Sequence, residues 1–164
     1  MSKSTENYQL NNQPDIIEIS GSLRLVKYYE NYKETLKWYE DKDICRQVDN
    51  IDHTYSLEDL KRMYEYLSSH GEVYYISYKE DDWKLIGDVS LWDNNIAIVI
   101  TREYQNKHIG RKVISKMIER AKELGIKELK AKIYSFNMQS QKAFLSAGFK
   151  QINGEEFSYK IRPD

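Results

Sequence analysis

A short polar loop, Gln105-Asn106-Lys107-His108-Ile109-Gly110-Arg111, joins the apolar run Ile96-Ala97-Ile98-Val99-Ile100 to a helical pattern with Val113, Met117, Ala121 and Leu124 on one face. A strand that empties into a helix through such a loop is wired to hold an anion. The first amides of a helix have no partner inside it, and the aligned peptide dipoles put about half a positive charge there. Lys107, Arg111 and Lys112 add cations beside those amides, which suits a phosphate or pyrophosphate. Two other phosphate loops are excluded by spelling, because neither G-x-G-x-x-G after the first strand nor G-x-x-x-x-G-K-[ST] is present.

The loop needs a frame, and hydrophobic periodicity predicts one. Residues 16–19 and 23–26 read as extended pieces around Ser20-Gly21-Ser22. Tyr29, Tyr32, Leu36 and Tyr39 recur at helical spacing, with Trp38 adjacent. A second helix starts at the capping-box pattern Ser56-Leu57-Glu58-Asp59, carries Leu57, Leu60, Tyr64 and Leu67 on one face, and ends at Gly71. The period then falls to two, which predicts strands at 73–78, 83–91 and 96–101 as an antiparallel meander turning at Asp93-Asn94-Asn95. After the helix at 109–124 and Gly125 comes a strand at 129–134. This strand–helix–strand step implies a parallel, right-handed crossover. A further helix spans 137–146, and Asn153-Gly154 marks a hairpin between strands at 149–152 and 156–161. The fold class expected is α/β (α+β): a mixed, mostly antiparallel sheet with a central crossover and helices on both faces.

The 164 residues suffice for one domain with a real core, expected at 16–164 after a loose start at 1–15. With 40% hydrophobic and 31% charged residues the chain is globular in composition rather than disordered. A net charge of −1 argues against nucleic acid as a partner, but the charge is segregated. From Tyr28 to Asp59 nine acidic residues face four basic ones, and from Lys107 to Lys132 nine basic residues face three acidic ones. An anionic cofactor on the basic half and a cationic acceptor near the acidic half follow as expectations. The single cysteine, Cys45, forbids an intrachain disulfide, and no apolar run approaches the roughly 20 residues of a membrane span. A cytoplasmic location without membrane attachment is expected.

The loop resembles the Gln/Arg-x-x-Gly-x-Gly/Ala signature of the GCN5-related N-acetyltransferases, with His108 at the place of the first glycine. A second segment, Asn137-Met138-Gln139-Ser140-Gln141-Lys142-Ala143-Phe144-Leu145-Ser146-Ala147-Gly148-Phe149, is similar to the Asn-x-x-Ala/Ser…Gly-Phe stretch of the same family, a helix and a strand downstream. The likeness covers roughly Leu23 onward, and the layout of the first half looks like members acetylating ribosomal proteins or aminoglycosides. It implies acetyl-CoA as cofactor, with the pantetheine arm along Ile98 and Ile100 and the pyrophosphate on Gln105, Lys107, His108, Ile109, Gly110 and Arg111. Asn137 and Ser140 match positions that contact the arm near its sulfur.

The chemistry so implied has an unequal division of difficulty. An alkylamine of pKa about 10.4 is mostly protonated at pH 7, and neutralising it costs roughly 4–5 kcal/mol, whereas a thiol of pKa about 8.5 leaves readily. A base therefore matters more than an acid. Asp88 is the first candidate, because Ile86, Asp88, Ser90 and Trp92 fall on one face of a strand; Asp93 and Glu103 are alternatives. Phe144 stands where many members carry the tyrosine that protonates sulfur, and Ser140 is the nearest matching hydroxyl. Tyr29, Tyr32, Trp38 and Tyr66 are candidate walls of an acceptor pocket, or simply core. The function expected is acetyl transfer to a primary amine, on a small molecule or a basic protein N-terminus, by direct attack in a ternary complex. A catalytically silent acyl-CoA-binding module is the alternative, and a homodimer through a sheet edge is a further expectation.

Overall fold

Tyr74 and Tyr75 are neighbours in sequence, both are fully buried, and they belong to different hydrophobic cores. Successive side chains of a strand point to opposite faces, so this strand must be covered on both. The computed structural model, which describes residues 12–162, shows how. Its strands are β1 (Ile16–Ser20), β2 (Leu23–Lys27), β3 (Glu72–Lys79), β4 (Trp83–Trp92), β5 (Asn95–Ile100), β6 (Glu128–Lys132), β7 (Lys150–Asn153) and β8 (Glu156–Lys160). Its helices are α1 (Tyr32–Tyr39), α2 (Lys42–Asp49), α3 (Leu57–His70), α4 (Ile109–Glu123) and α5 (Met138–Ser146). The strands form one sheet in the order β1-β2-β3-β4-β5-β6-β8-β7, antiparallel except between β5 and β6.

On one face Val113, Ile114 and Met117 of α4 and Phe144 of α5 meet Tyr74, Ile76, Val89 and Leu91. On the other, Trp38, Ile44, Leu60 and Tyr64 from α1, α2 and α3 meet Val73, Tyr75 and Val99. The expected class of fold is thus the one observed. The capping box of α3 is formed in both directions, Ser56 and Asp59 each accepting the other's backbone amide.

Five local features differ from the sequence expectation. Helix α2 was not anticipated: its eight residues bury only Ile44 and Cys45, too few to show a period, although Asp41 caps it by accepting from the Asp43 amide at 2.9 Å. The last hairpin pairs Asn153 with Glu156, so its two-residue turn is Gly154-Glu155 rather than Asn153-Gly154. Strand β6 ends at Lys132, two residues early, and α1 begins at Tyr32. Most consequential is a bulge in β4. Ile76 pairs with Gly87 and Ser77 with Leu85, which leaves Ile86 unpaired. The bulge flips the alternation, so Ile86 joins the α4 core while Asp88 points toward α1 and α3. Ile86 and Asp88 do not share a face.

Residues 1–11 of the start expected to be loose lie outside the described residues. Residues 12–15 are tied down: Lys27 donates its amide to the Asp15 carbonyl at 2.8 Å, Gln13 Nε2 donates to the Val73 carbonyl at 2.9 Å, and Arg120 donates to the Asn12 carbonyl at 2.9 Å. Arg120 also holds the fully buried Glu72, at 2.7 and 3.0 Å, and the Tyr74 hydroxyl donates to the same carboxylate at 2.5 Å. This one guanidinium joins α4, β3 and the start of the described chain.

Candidate active site

Parallel neighbours β5 and β6 pair at a single position, Asn95 with Lys130, and then separate. The edge of β5 beyond that point keeps backbone groups without a strand partner, and such groups favour any ligand that can bond to them. A cavity of about 560 Å³ occupies the gap. Its walls include Ile98 and Ile100 of β5, the loop and first turn of α4, and Asn137, Ser140 and Phe144 around α5; Gln47 and Val48 close it from the α2 side.

The loop is shaped to expose amides. Gln105 Nε2 donates to the Ile100 carbonyl at 2.8 Å, locking the loop to the strand end. Asn106 (φ 60°) and His108 (φ 63°) both adopt the left-handed conformation, which turns the backbone tightly into α4. Asn and His tolerate that region better than most residues, so His108 reproduces the turn that glycine would allow. His108 is the N-cap of α4 yet makes no side-chain cap, and the first turn carries no acidic residue. Both absences leave the positive end of the helix available to an external anion.

Of the residues expected to hold the cofactor, Ile98, Ile100, Gln105, His108, Ile109, Gly110, Arg111, Asn137 and Ser140 all line the cavity. Lys107 does not; its ammonium lies over the Tyr104 ring at 5.3 Å, and Lys112 is likewise off the wall. The cations that do face the cavity, besides Arg111, are Lys132 and Lys142. Sequence reasoning passed over both, since a lysine ending a strand and one within a helix look like ordinary solvated charges. Asn137 caps α5 by accepting from the Ser140 amide at 3.2 Å. The Ser140 hydroxyl makes no hydrogen bond among the described residues, so it is not spent on its own helix. Phe144 lies in the floor, 2% exposed, edge-on to Phe149 with ring centroids 5.0 Å apart.

Asp88 is 7% exposed and pairs across the ladder with Val99, a cavity residue, but does not itself line the cavity. The hydroxyls of Tyr39 and Tyr64 both donate to its Oδ2, at 2.8 and 2.7 Å. Burial pushes its carboxyl up to about 6, against the downward pull of the Tyr64 and Tyr39 hydrogen bonds. Both phenols are pushed well above their ordinary range, first by burial and then by the neighbouring carboxylate. Asp93, in the β4–β5 turn, and Glu103, in a short 3-10 turn after β5, are exposed and off the wall.

The aromatic residues suggested as an acceptor wall do not line the cavity. Trp38 is core, Tyr29 meets Tyr75 edge-on, Tyr32 stacks near Tyr64, and Tyr66 stands apart against His70 and Trp92. Nor is the acidic charge nearest the cavity free. Arg102 bridges Asp41 at 2.7 Å and Asp43 at 2.8 Å. Burial pulls the other way, yet Arg102 and the Asp43 amide hold Asp41 below the ordinary carboxylate range. No helix among the described residues is long and apolar enough to cross a membrane.

Comparison with known proteins agrees with this geometry. The profile of the acetyltransferase (GNAT) domain matches residues 22–150. Curated protein sequences give no match. Among solved structures, a domain from Methanocaldococcus jannaschii superposes with a TM-score of 0.74 at 21% identity, covering 84% of this chain and 97% of that one. Spermidine N-acetyltransferase from Vibrio cholerae, in complex with CoA and spermine, gives 0.71 at 15% identity, over 87% and 97%. AAC(6')-Ib in complex with ribostamycin and coenzyme A gives 0.71 at 13% identity, over 85% and 93%. At these identities the structures speak for the fold, while the profile covers most of the chain and both loop signatures sit in the cavity wall. The chain belongs to the GNAT acetyltransferase family and is an acetyl-CoA-dependent N-acetyltransferase.

Proposed function

We propose that the protein transfers the acetyl group directly to a small-molecule primary amine while both substrates are bound, with no covalent intermediate on the enzyme. The cleft opened where β5 leaves β6, ending at an uncapped and acid-free helix start, is the observation that carries this reading. Acetyl-CoA, when bound, supplies a thioester whose carbonyl carbon is open to attack. Amides of the 105–111 loop and Arg111 hold the diphosphate, joined by Lys132 and Lys142, and the unpaired edge of β5 at Ile98 and Ile100 orients the arm. Asn137 and Ser140 stand at the head of α5, where the Ser140 hydroxyl donates to the departing sulfur in place of a tyrosine. Asp88, on the strand beside Val99 and off the cavity wall, takes the proton released by the amine by way of water rather than by direct contact. With its pKa raised to about 6 it is still mostly ionised at neutral pH and is a better proton acceptor than an ordinary carboxylate.

The lone cysteine, Cys45, is buried and unpaired, which fits a reducing compartment, and we assign the enzyme to the cytoplasm. The edge strand β7, all four residues of which are exposed, is the surface through which two copies pair in a homodimer. Release of free thiol from acetyl-CoA, followed against a panel containing spermidine, an aminoglycoside, amino acids and a basic peptide, tests the function. Thiol release with at least one amine is expected. A melting point raised by acetyl-CoA with no thiol release from any amine would favour the silent binding module, for which Phe144 is the supporting feature.

A further inference from the structure

A second cavity, of about 290 Å³, adjoins the first and shares Gln47 and Gln105 with it. Its other principal walls are Asp43, Arg46, Arg102 and Phe136. It lies on the α2 side of the cleft, opposite the α4 and α5 residues that form the far wall of the larger cavity.

The charges around this second cavity are not equivalent. Arg102 already spans Asp41 and Asp43, so neither carboxylate there is free for an ammonium group. Arg46 has no carboxylate partner among the described residues; its guanidinium carbon sits 4.4 Å from the centroid of the Phe136 ring. Stacking on an aromatic face fixes the plane of a guanidinium while leaving its edge N–H donors available, and that edge matches a carboxylate in bidentate fashion. Phe136, 38% exposed, offers apolar surface beside it.

We propose that the acceptor is an amine that carries its own carboxylate, of the amino-acid type, and that Arg46 binds this carboxylate in the cavity beneath α2. The proposal rests on the acetyl-transfer reading and narrows it: the amine enters the cleft while its carboxylate stays on Arg46. Gln47 and Gln105, on the wall common to both cavities, mark the passage between them.

The test separates this site from the acetyl-transfer reading by measuring binding as well as turnover. With the protein saturated in CoA, melting temperature is recorded against leucine, phenylalanine, their carboxamides and spermidine, for the wild type, Arg46→Ala and Arg46→Lys. The amino acids should raise the melting temperature and the carboxamides and spermidine should not, with the shift lost in Arg46→Ala and partly kept in Arg46→Lys. In thiol-release assays Arg46→Ala should raise KM for the amino acid about 10- to 100-fold, the usual weight of a charge-assisted pair, while KM for acetyl-CoA stays unchanged. Carboxamides that bind as well as the acids, or an Arg46→Ala change that falls on acetyl-CoA instead of the amine, would overturn the proposal even if acetyl transfer to another amine is found. A shift from the amino acids without any thiol release would leave Arg46 a carboxylate-binding residue but overturn the assignment of the amino acid as acceptor.

Discussion

At the scale of single residues, Asp88 has its carboxylate oxygen Oδ2 filled by two phenols and its pKa pushed by burial to about 6. Turnover should therefore fall as pH drops through about 6, because the protonated acid no longer accepts. Asp88→Asn should abolish that limb of the pH profile along with most of kcat; an unchanged profile would retire Asp88 as the base. Tyr39→Phe and Tyr64→Phe each remove a bond that favours the ionised form, so the limb should move upward in pH in both. The same shift has a stability consequence of opposite sense to the common carboxylate case. The folded-state pKa lies above the ordinary value of 3.8, so the folded form binds the proton more tightly. The group is neutral and unpenalised below the ordinary carboxylate range, and its ionisation costs stability as pH rises from about 3.8 through about 6, after which the loss levels off. Denaturant unfolding at pH 4.5 and 7 should accordingly show a smaller loss of stability on going to pH 7 in Asp88→Asn than in the wild type. That Asp88 was a candidate could be read from the alternation around it, but the reason then at hand, a face shared with Ile86, was wrong. The bulge at Ile86 is set by pairing with β3, a long-range contact that no local pattern reports.

At the scale of elements, two close approaches hold the cleft in shape. A Cβ at Gly87 would lie 2.0 Å from the Val99 carbonyl oxygen, backbone that cannot swing aside. Gly87→Ala should thus force β4 and β5 apart and weaken both folding and acetyl-CoA binding, read by thermal melting and calorimetric titration. The second is the ion pair of Arg120 with Glu72, joining α4 to β3. Arg120→Leu strands a carboxylate with no exposure and should cost about 3–5 kcal/mol in denaturant unfolding; adding Glu72→Leu should recover much of it, since the pair's desolvation is then removed as well. The elements themselves were largely legible. Capping residues announced α3, the two-residue β4–β5 turn came with Asp93 and Asn94 at positive φ, and glycines ended α3 and followed α4. Helix α2 was not legible, because its stability comes from Ile44 and Cys45 packing under the first helices rather than from any stripe of its own. Its absence from the sequence reading also hid the Gln47, Val48 and Arg46 wall. The shift of the Lys107 charge onto Tyr104 was equally invisible, since loop composition names a cation without giving its direction.

At the scale of the molecule, the sheet separates two tasks. The α4–α5 face presents the helix start and Arg111, Lys132 and Lys142, while the α1–α3 face surrounds Asp88 with tyrosine and brings α2 over the gap. The segregation of charge along the sequence is only partly carried into the cleft: of the basic run at 107–132 Arg111 and Lys132 line it, and Arg102 neutralises the acidic residues nearest the cavity. A ligand bridging strand, loop and helix binds only the folded chain. Acetyl-CoA at about a hundred times its dissociation constant should therefore stabilise the protein by about 2.7 kcal/mol, seen as a concentration-dependent rise in melting temperature. The most direct test of acetyl transfer follows an isotopically labelled acetyl group from acetyl-CoA, with the protein and an accepted amine present in a single turnover. The label should appear on the amine nitrogen, with none on the protein at any time. Label held covalently by the protein before the amine is added, or left on the thioester with every amine offered, would contradict direct transfer.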